Sequence, residues 1–294
     1  WSKNNSMVES LPEGIDKIQI GSGVYNVKSY AEVGKPYGAI YAKTFKRDAE
    51  GYILCQLDGS PKEGQDYEYL GCVQADWRGG WNNVFRLGNF SFSVMFDFQK
   101  GGKFFSQTSI QSSVDGQSVK SLEGRDADFF SRKILGESDE ERYGFMRPQN
   151  ANTPTANGQV YPDWGRPKGV VLPNCRYDED VEGLAGQQVL GYCTPERYWM
   201  HYTSRDISRF IYDASYVKLR EITVSYDLPK KWLRKTPFQT FRVAAVGRNI
   251  ATLFANTPHG LDPQATSTTG NAQGFERGFN LPSATYGFDI KVSF

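Results

Sequence analysis

Two ten-residue runs of this sequence alternate apolar and polar side chains with almost no exception, and that periodicity limits the architectures open to the chain more than any other property. In the run from Phe90 to Gln99, Phe90, Phe92, Val94, Phe96 and Phe98 form one face. Ser91, Ser93, Met95, Asp97 and Gln99 form the other, and only Met95 breaks the pattern. The last ten residues repeat it, with Tyr286, Phe288, Ile290, Val292 and Phe294 on one side and Thr285, Gly287, Asp289, Lys291 and Ser293 on the other. Successive side chains of a strand point to opposite faces, so each run reads as a strand with one apolar and one polar side. A perfect alternation of this length arises by chance in roughly one window in 1,000, so a single run would be weak evidence. Length and chemistry add to it. Ten residues, with bulky aromatics opposite small or charged groups, are what a tilted lipid-crossing strand requires. A large soluble β-sandwich shows the same period, and on pattern alone both architectures fit.

Composition removes other classes. The 294 residues carry 34 Lys and Arg against 33 Asp and Glu, so no global basic field exists to drive nucleic-acid binding. No run approaches the roughly 20 apolar residues of a membrane-spanning helix, which excludes helical membrane proteins and leaves β-barrels open. The 17 Tyr, 19 Phe, 6 Trp and 30 Gly favour strands and turns. With no Cys-x-x-Cys and only His201 and His259 as histidines, a zinc site is not expected. The sequence has no Gly-x-Ser-x-Gly elbow, no phosphate-binding glycine loop and no His-Glu-x-x-His. A paired-carboxylate glycosidase is the one enzyme reading that composition leaves open; the expectation is a protein that is not an enzyme and holds no cofactor. The chain starts Trp1-Ser-Lys-Asn-Asn, with no Met, basic n-region or apolar h-region, as a piece from the middle of a longer gene product would.

Further strands follow from turn chemistry. Gly80 to Leu87 reads as the hairpin partner of the run at Phe90, joined by Gly88-Asn89. Lys100-Gly-Gly102 turns the chain into Lys103 to Ser106. Ser215 to Tyr226 changes apolar parity between Leu219 and Ile222, as one extra residue in a β-bulge produces. Phe238 to Gly247 is the next strand. The connection between these two holds Lys230-Lys-Trp-Leu-Arg-Lys235, either a solvated basic turn or, beside a membrane, a contact for anionic headgroups. From Gln111 to Ala214 the pattern changes. Short helices are expected within Ser118 to Leu135 and Pro195 to Arg209, separated by Pro148, Pro154, Pro162, Pro167 and Pro173. A structureless stretch this long conflicts with a compact soluble domain. Outer-membrane barrels accommodate it, because their turns are short at one end and their loops long at the other.

At this point the residues resemble a known family, the SusC/RagA group of TonB-dependent outer-membrane transporters, in its C-terminal barrel part. The motifs are Val33-Gly-Lys-Pro-Tyr-Gly-Ala-Ile-Tyr41, Asp76-Trp-Arg-Gly-Gly-Trp-Asn-Asn-Val-Phe85 running into Asn89 to Val94, and Ala214 to Pro229. Gly247-Arg-Asn-Ile250, Gly260-Leu-Asp-Pro263 and Leu281 to Phe294 complete the set in the family's order. The resemblance implies an all-β chain, the C-terminal portion of a 22-stranded antiparallel transmembrane β-barrel with long extracellular loops containing short helices. Residues 1–294 would all belong to that barrel part, with 110–214 as a long extracellular loop region and the plug domain absent. The implied activity is import of glycans or peptides across the bacterial outer membrane. The implied partners are a SusD-like surface lipoprotein, outer-membrane lipid, and the TonB complex acting through a missing N-terminal part. A secreted carbohydrate-binding β-sandwich is the alternative.

Such a transporter needs no nucleophile; it needs outer loops that hold an oligosaccharide or peptide by stacking and hydrogen bonds. The candidate contacts are Tyr161, Asp163, Trp164, Arg166, Tyr198, Trp199 and His201 in the long loop. Cys175 and Cys193 lie in the same loop and form the candidate disulfide, and Cys55 and Cys72 flank another excursion. Asp178-Glu-Asp180 with Glu182 lacks the ordered spacing of a calcium loop and reads as a solvated charge run, so no metal is expected. By the resemblance, Tyr286, Phe288, Ile290, Val292 and Phe294 form the C-terminal signal read during barrel assembly.

Overall fold

The computed structural model describes residues 1–22, 25–123, 170–193, 195–258, 260–265, 270, 273–278 and 283–294. In chain order the strands are β1 (Ser2–Lys3), β2 (Lys17–Ser22), β3 (Lys28–Glu32), β4 (Ala39–Ala42), β5 (Ile53–Cys55), β6 (Glu68–Cys72), β7 (Trp77–Leu87), β8 (Phe90–Lys100) and β9 (Lys103–Ser106). Helix α1 (Gln107–Val114) follows. Then come β10 (Val170–Tyr177), β11 (Gln188–Cys193), β12 (Ile211–Asp213), β13 (Tyr216–Asp227), β14 (Thr240–Ala255), β15 (Phe275–Glu276) and β16 (Thr285–Ser293). The chain is all-β, with mostly antiparallel sheets.

Two assemblies share these elements. The main sheet has the order β1-β7-β8-β13-β14-β16, every neighbour antiparallel. Its strands are the alternating runs of the sequence, and pairing puts like faces together. Phe90 sits opposite Leu87 and Tyr226, Phe92 opposite Phe85 and Val224, and Ala245 opposite Phe288. The hairpin loop is Gly88-Asn89, with φ of 58° at Gly88 and no positive φ at Asn89, the type II′ pattern that suits strand twist and calls for glycine first. The expected bulge is present. Arg220 has no partner in either ladder of β13, so Arg220 and Glu221 both fall on the polar face and the apolar residues on either side keep theirs. Strand β14 runs eight residues beyond the expected Gly247, past Asn249 with φ of 50°.

The second assembly is a loop module at one end of the main sheet. It holds the four-stranded sheet β2-β3-β4-β6, the three-stranded sheet β11-β10-β5 and the three-stranded sheet β12-β9-β15. The stretch from Gln111 to Ala214, expected as a loop with helices, contributes three of these strands, β10, β11 and β12. β10 pairs antiparallel with β11 and parallel with β5, more than 110 residues earlier. Pro173 is tolerated inside β10 because the ladder with β11 is interrupted between Leu172 and Cys175, where Asn174 takes φ of 59°. The expected helix at Pro195 to Arg209 is broken into Pro195–Arg197, a π-helical turn Tyr198–Tyr202 and a 3₁₀ turn Ile207–Phe210. Of the helix expected within Ser118 to Leu135, the described part is the 3₁₀ turn Val119–Leu122; the rest lies outside the described residues, as do Pro148, Pro154, Pro162 and Pro167.

The buried core belongs almost wholly to the loop module. One cluster gathers Phe45, Ile53, Cys55, Val170, Leu172, Cys175 and Tyr198 with their neighbours, and a second gathers Val27, Ile40, Phe105, Ile110, Ile207, Phe210 and Phe275. The six main-sheet strands contribute only Tyr216 and Ala244 to the buried hydrophobic residues. Their aromatic face is bare: Phe288 is 85% exposed, Ile290 63% and Phe90 57%, and Phe96 is half-buried against its strand neighbours. No second layer covers this face among the described residues. The edges are open as well, because β1 covers only Trp77 and Arg78 of β7 and β16 has a neighbour on one side alone.

Candidate functional site

The main sheet and the loop module meet where β7, β8, β13 and β14 end, and the sequence there allows the chain to approach itself closely. Gly101 and Gly102 connect β8 to β9 with φ of 74° and 81°. A Cβ on Gly101 would lie 2.3 Å from an Asp76 carboxylate oxygen, and one on Gly102 would lie 2.9 Å from the Val73 carbonyl. The Gly101 N–H donates to Ser215 Oγ at 2.8 Å, and the Ala214 N–H donates to the Gly102 carbonyl at 2.9 Å. Asp213 accepts from the Ser215 N–H at 2.9 Å. The junction is thus a hydrogen-bonded hinge plate, which fixes where the loops sit above the sheet.

Just below it, the polar face carries a connected network. Arg220 donates from Nε and Nη2 to Asp97 Oδ2 at 2.8 and 2.6 Å, and from Nη1 to Asn249 Oδ1 at 2.9 Å. The Tyr216 hydroxyl also donates to Asp97, at 3.2 Å. Lys218 is buried; its Nζ donates to Asp262 Oδ1 at 2.6 Å and to Gln264 Oε1 at 3.0 Å, and Gln264 accepts in turn from Arg220. A loop after β14 is thereby folded against the polar face by paired charges, whose hydrogen bonds offset the cost of burying Lys218. The bulge places Arg220 to do this. Lower on the same face, Glu221 pairs with Arg248 at 2.9 Å and Asp227 with Arg242 at 2.6 Å.

Within the loop module, Asp178 acts as a clamp. Its carboxylate accepts from Lys46 Nζ at 2.8 Å and from Lys62 Nζ at 2.8 Å, tying β10 to the β4–β6 region across more than 110 residues of sequence. Burial pushes its carboxyl upward, but the two lysines and the Glu179 N–H override that and hold it at about 2. The reading of residues 178–182 as a solvated run is corrected at Asp178, which is 3% exposed. No group of His, Cys, Asp and Glu among the described residues could hold a metal ion.

The cysteines take an arrangement that differs from the expected pair. The antiparallel register sets Cys175 opposite Val189 and Cys193 opposite Val170; both lie in the same buried cluster, and no disulfide joins them. Cys175 instead neighbours Cys55, whose thiol is pushed up by the hydrogen bond between them and by burial. Burial likewise raises Cys193, to about 12. Both thiols are therefore protonated at neutral pH and poor nucleophiles.

The expected cargo contacts are dispersed. Tyr161, Asp163, Trp164 and Arg166 lie outside the described residues. Tyr198 and Trp199 are core residues, 1% and 3% exposed, stacked edge to face at 5.1 Å, with the Tyr198 hydroxyl accepting from Arg209. The π-helical turn faces both rings inward, so they are corrected to packing residues; His201 alone of the described candidates is exposed. The pattern missed a small pocket of about 160 Å³ lined by Ser29, Tyr37, Gly38, Val73, Gln74, Gly270 and Gln273. Its wall contains the Ser29 hydroxyl, buried and without a hydrogen-bond partner. Residues so far apart in sequence left no periodic signal.

No protein-family profile matches the chain. A curated protein, TonB-dependent receptor P3 of Formosa agariphila, is 22% identical over 97% of this chain, and the chain spans about a quarter of that relative, 25% of its length. Solved structures of the RagAB peptide importer in its open-open and closed-closed states align over 97% of the chain and 25% and 26% of theirs. Their TM-scores are 0.48 and 0.49 at 16% identity. The chain is a homologue of a TonB-dependent receptor.

Proposed function

From this homology we propose that the chain is a stretch of wall, with the loops of one rim, from a SusC/RagA-type TonB-dependent importer of the bacterial outer membrane, and that it performs no catalysis itself. The observation that carries the reading is the bare aromatic face of the main sheet. In water each exposed Phe or Ile forgoes about 1.5–3 kcal/mol of burial, and a sheet lacking a second layer is not a stable unit. In hydrocarbon the same face is satisfied, while the polar face meets water. The distribution of connections supports the orientation: Gly88-Asn89 and the β13–β14 turn lie at one end, as periplasmic turns do, and the loop module lies at the other, as extracellular loops do.

In this reading the open edges of β7 and β16 pair with strands from the rest of a longer protein, completing a 22-stranded barrel of which residues 1–294 are the C-terminal part. The remainder supplies the plug and the contact with TonB. The loop module faces a SusD-like lipoprotein and a glycan or peptide cargo, and β16 with Phe294 serves as the assembly signal. A secreted carbohydrate-binding sandwich would bury Phe90 and Phe288 beneath a second sheet, and no observation favours it. Fractionation of cells making the full-length protein tests the proposal. Detergent-dependent extraction from outer membranes with heat-modifiable migration is expected; release as a soluble protein with unchanged migration overturns it.

A further inference from the structure

The turn between β13 and β14 carries charge that the import reading does not use. Lys230, Lys231, Arg234 and Lys235 place four cations within six residues, and no acid occurs between Leu228 and Gln239. All four are exposed, and no ion pair of theirs occurs among the described residues. The nearest acid in sequence, Asp227, is already held by two hydrogen bonds from Arg242, at 2.6 and 2.8 Å. The turn is ordered rather than loose: Lys230–Leu233 is helical, Leu233 is buried, and the Thr236 N–H donates to the Leu233 carbonyl at 2.9 Å. Trp232, in the middle of the cations, is 61% exposed.

Position gives this cluster meaning. It lies at the end of the main sheet where the aromatic face stops, beside the hairpin at Leu87 and Phe90 and the terminal Phe294, whose ring packs 5.3 Å from Phe238. An exposed indole at the edge of an apolar belt suits the boundary between hydrocarbon and headgroups. Uncompensated lysines and arginines at that level meet lipid phosphates directly.

We propose that Lys230–Lys235 is a binding site for anionic phospholipid, with the lysine and arginine N–H groups donating to the phosphodiester and Trp232 seated at the level of the acyl ester linkages. A zwitterionic lipid carries its own ammonium and gains less from four unpaired cations than phosphatidylglycerol does. The inference rests on the membrane reading of the main sheet.

The test uses the full-length protein in mixed vesicles of phosphatidylcholine and phosphatidylglycerol. Lipid retained after transfer to detergent is counted by native mass spectrometry, for wild type and for a K230Q/K231Q/R234Q/K235Q variant. Wild type is expected to retain phosphatidylglycerol over phosphatidylcholine by at least about fivefold, and the variant to fall toward parity. Heat-modifiable migration, read in parallel, reports whether each protein is folded in the bilayer. Parity in folded wild type, or an undiminished preference in a folded variant, overturns the lipid site and leaves the import reading intact. A wild type that does not enter vesicles at all overturns both. Inorganic phosphate at millimolar concentration is expected not to displace the lipid; displacement would identify a free-anion site instead.

Discussion

The loop module and the main sheet use the same residue types in opposite ways. In the loop module Phe45, Phe105, Phe210 and Phe275 are each at most 1% exposed, closed in by strands, turns and the helix α1. In the main sheet Phe85, Phe90, Phe92 and Phe288 are 40% to 85% exposed, and the small and charged residues occupy the opposite face. A hydrophobic core needs partners within the chain; a lipid-facing belt needs only a consistent face. Under the proposed membrane reading the strictness of the alternation follows from this, since one misplaced charge on the belt would meet hydrocarbon rather than a rearrangeable neighbour. The loop module, which solves the ordinary problem of burial in water, shows no such regularity.

Substitutions in the two regions should therefore respond to different surroundings. Phe210→Ala removes a fully buried ring from the loop module and is expected to cost about 3–5 kcal/mol by denaturant unfolding monitored at the loops, in detergent and bilayer alike. A loss below 1 kcal/mol would mean that this cluster is not a working core. Phe92→Arg on the aromatic face is expected to cost about 2–4 kcal/mol in a bilayer, against less than about 0.5 kcal/mol for Ser93→Arg one residue along. Equal costs at the two positions would erase the distinction between the faces.

The Asp178 clamp adds a pH dependence confined to the loop module. Its carboxyl is held at about 2 in the folded protein against an unfolded value of 3.8, so its contribution is complete above about pH 4 and is lost as the pH falls toward 2. The shift corresponds to about 2 kcal/mol. Asp178→Asn should abolish that portion of the acid sensitivity, measured by proteolytic nicking of the loops at pH 6 and pH 2.5; a variant as acid-sensitive as wild type would place the linkage elsewhere. The smallest effect belongs to Ser29→Ala. Deleting a buried hydroxyl without a partner should raise loop-module stability by up to about 1 kcal/mol, and a destabilisation of that size would reveal a bound water or ligand on the hydroxyl.

What could be read from the sequence divides along the same boundary. Strands β8 and β16, the turn at Gly88-Asn89 and the bulge at Arg220 were legible because a one-sided environment writes period two into the residues and a parity change where an extra residue enters. The parallel pairing of β5 with β10 was not, because its partners lie more than 110 residues apart and neither strand alternates. Tyr198 and Trp199 show the same limit at the site. An aromatic pair in a proline-rich stretch has one spelling whether it faces a cargo or a core, and only the π-helical turn decides. Asp178 looked solvated among its acidic neighbours because Lys46 and Lys62 approach it from distant sequence. The expected cysteine pair is not joined in the structure: Cys175 and Cys193 share a buried cluster, but the antiparallel ladder sets each opposite another residue.

The most direct test of the account is solvent accessibility along β8 of the full-length protein in lipid bilayers, read by spin labels placed singly at residues 90 to 98. The account predicts a period of two, with 90, 92, 94, 96 and 98 accessible to lipid-soluble oxygen and 91, 93, 95 and 97 to a water-soluble nickel reagent. Uniform accessibility to the nickel reagent, or shielding of the even positions from both reagents, would contradict a main sheet that faces hydrocarbon.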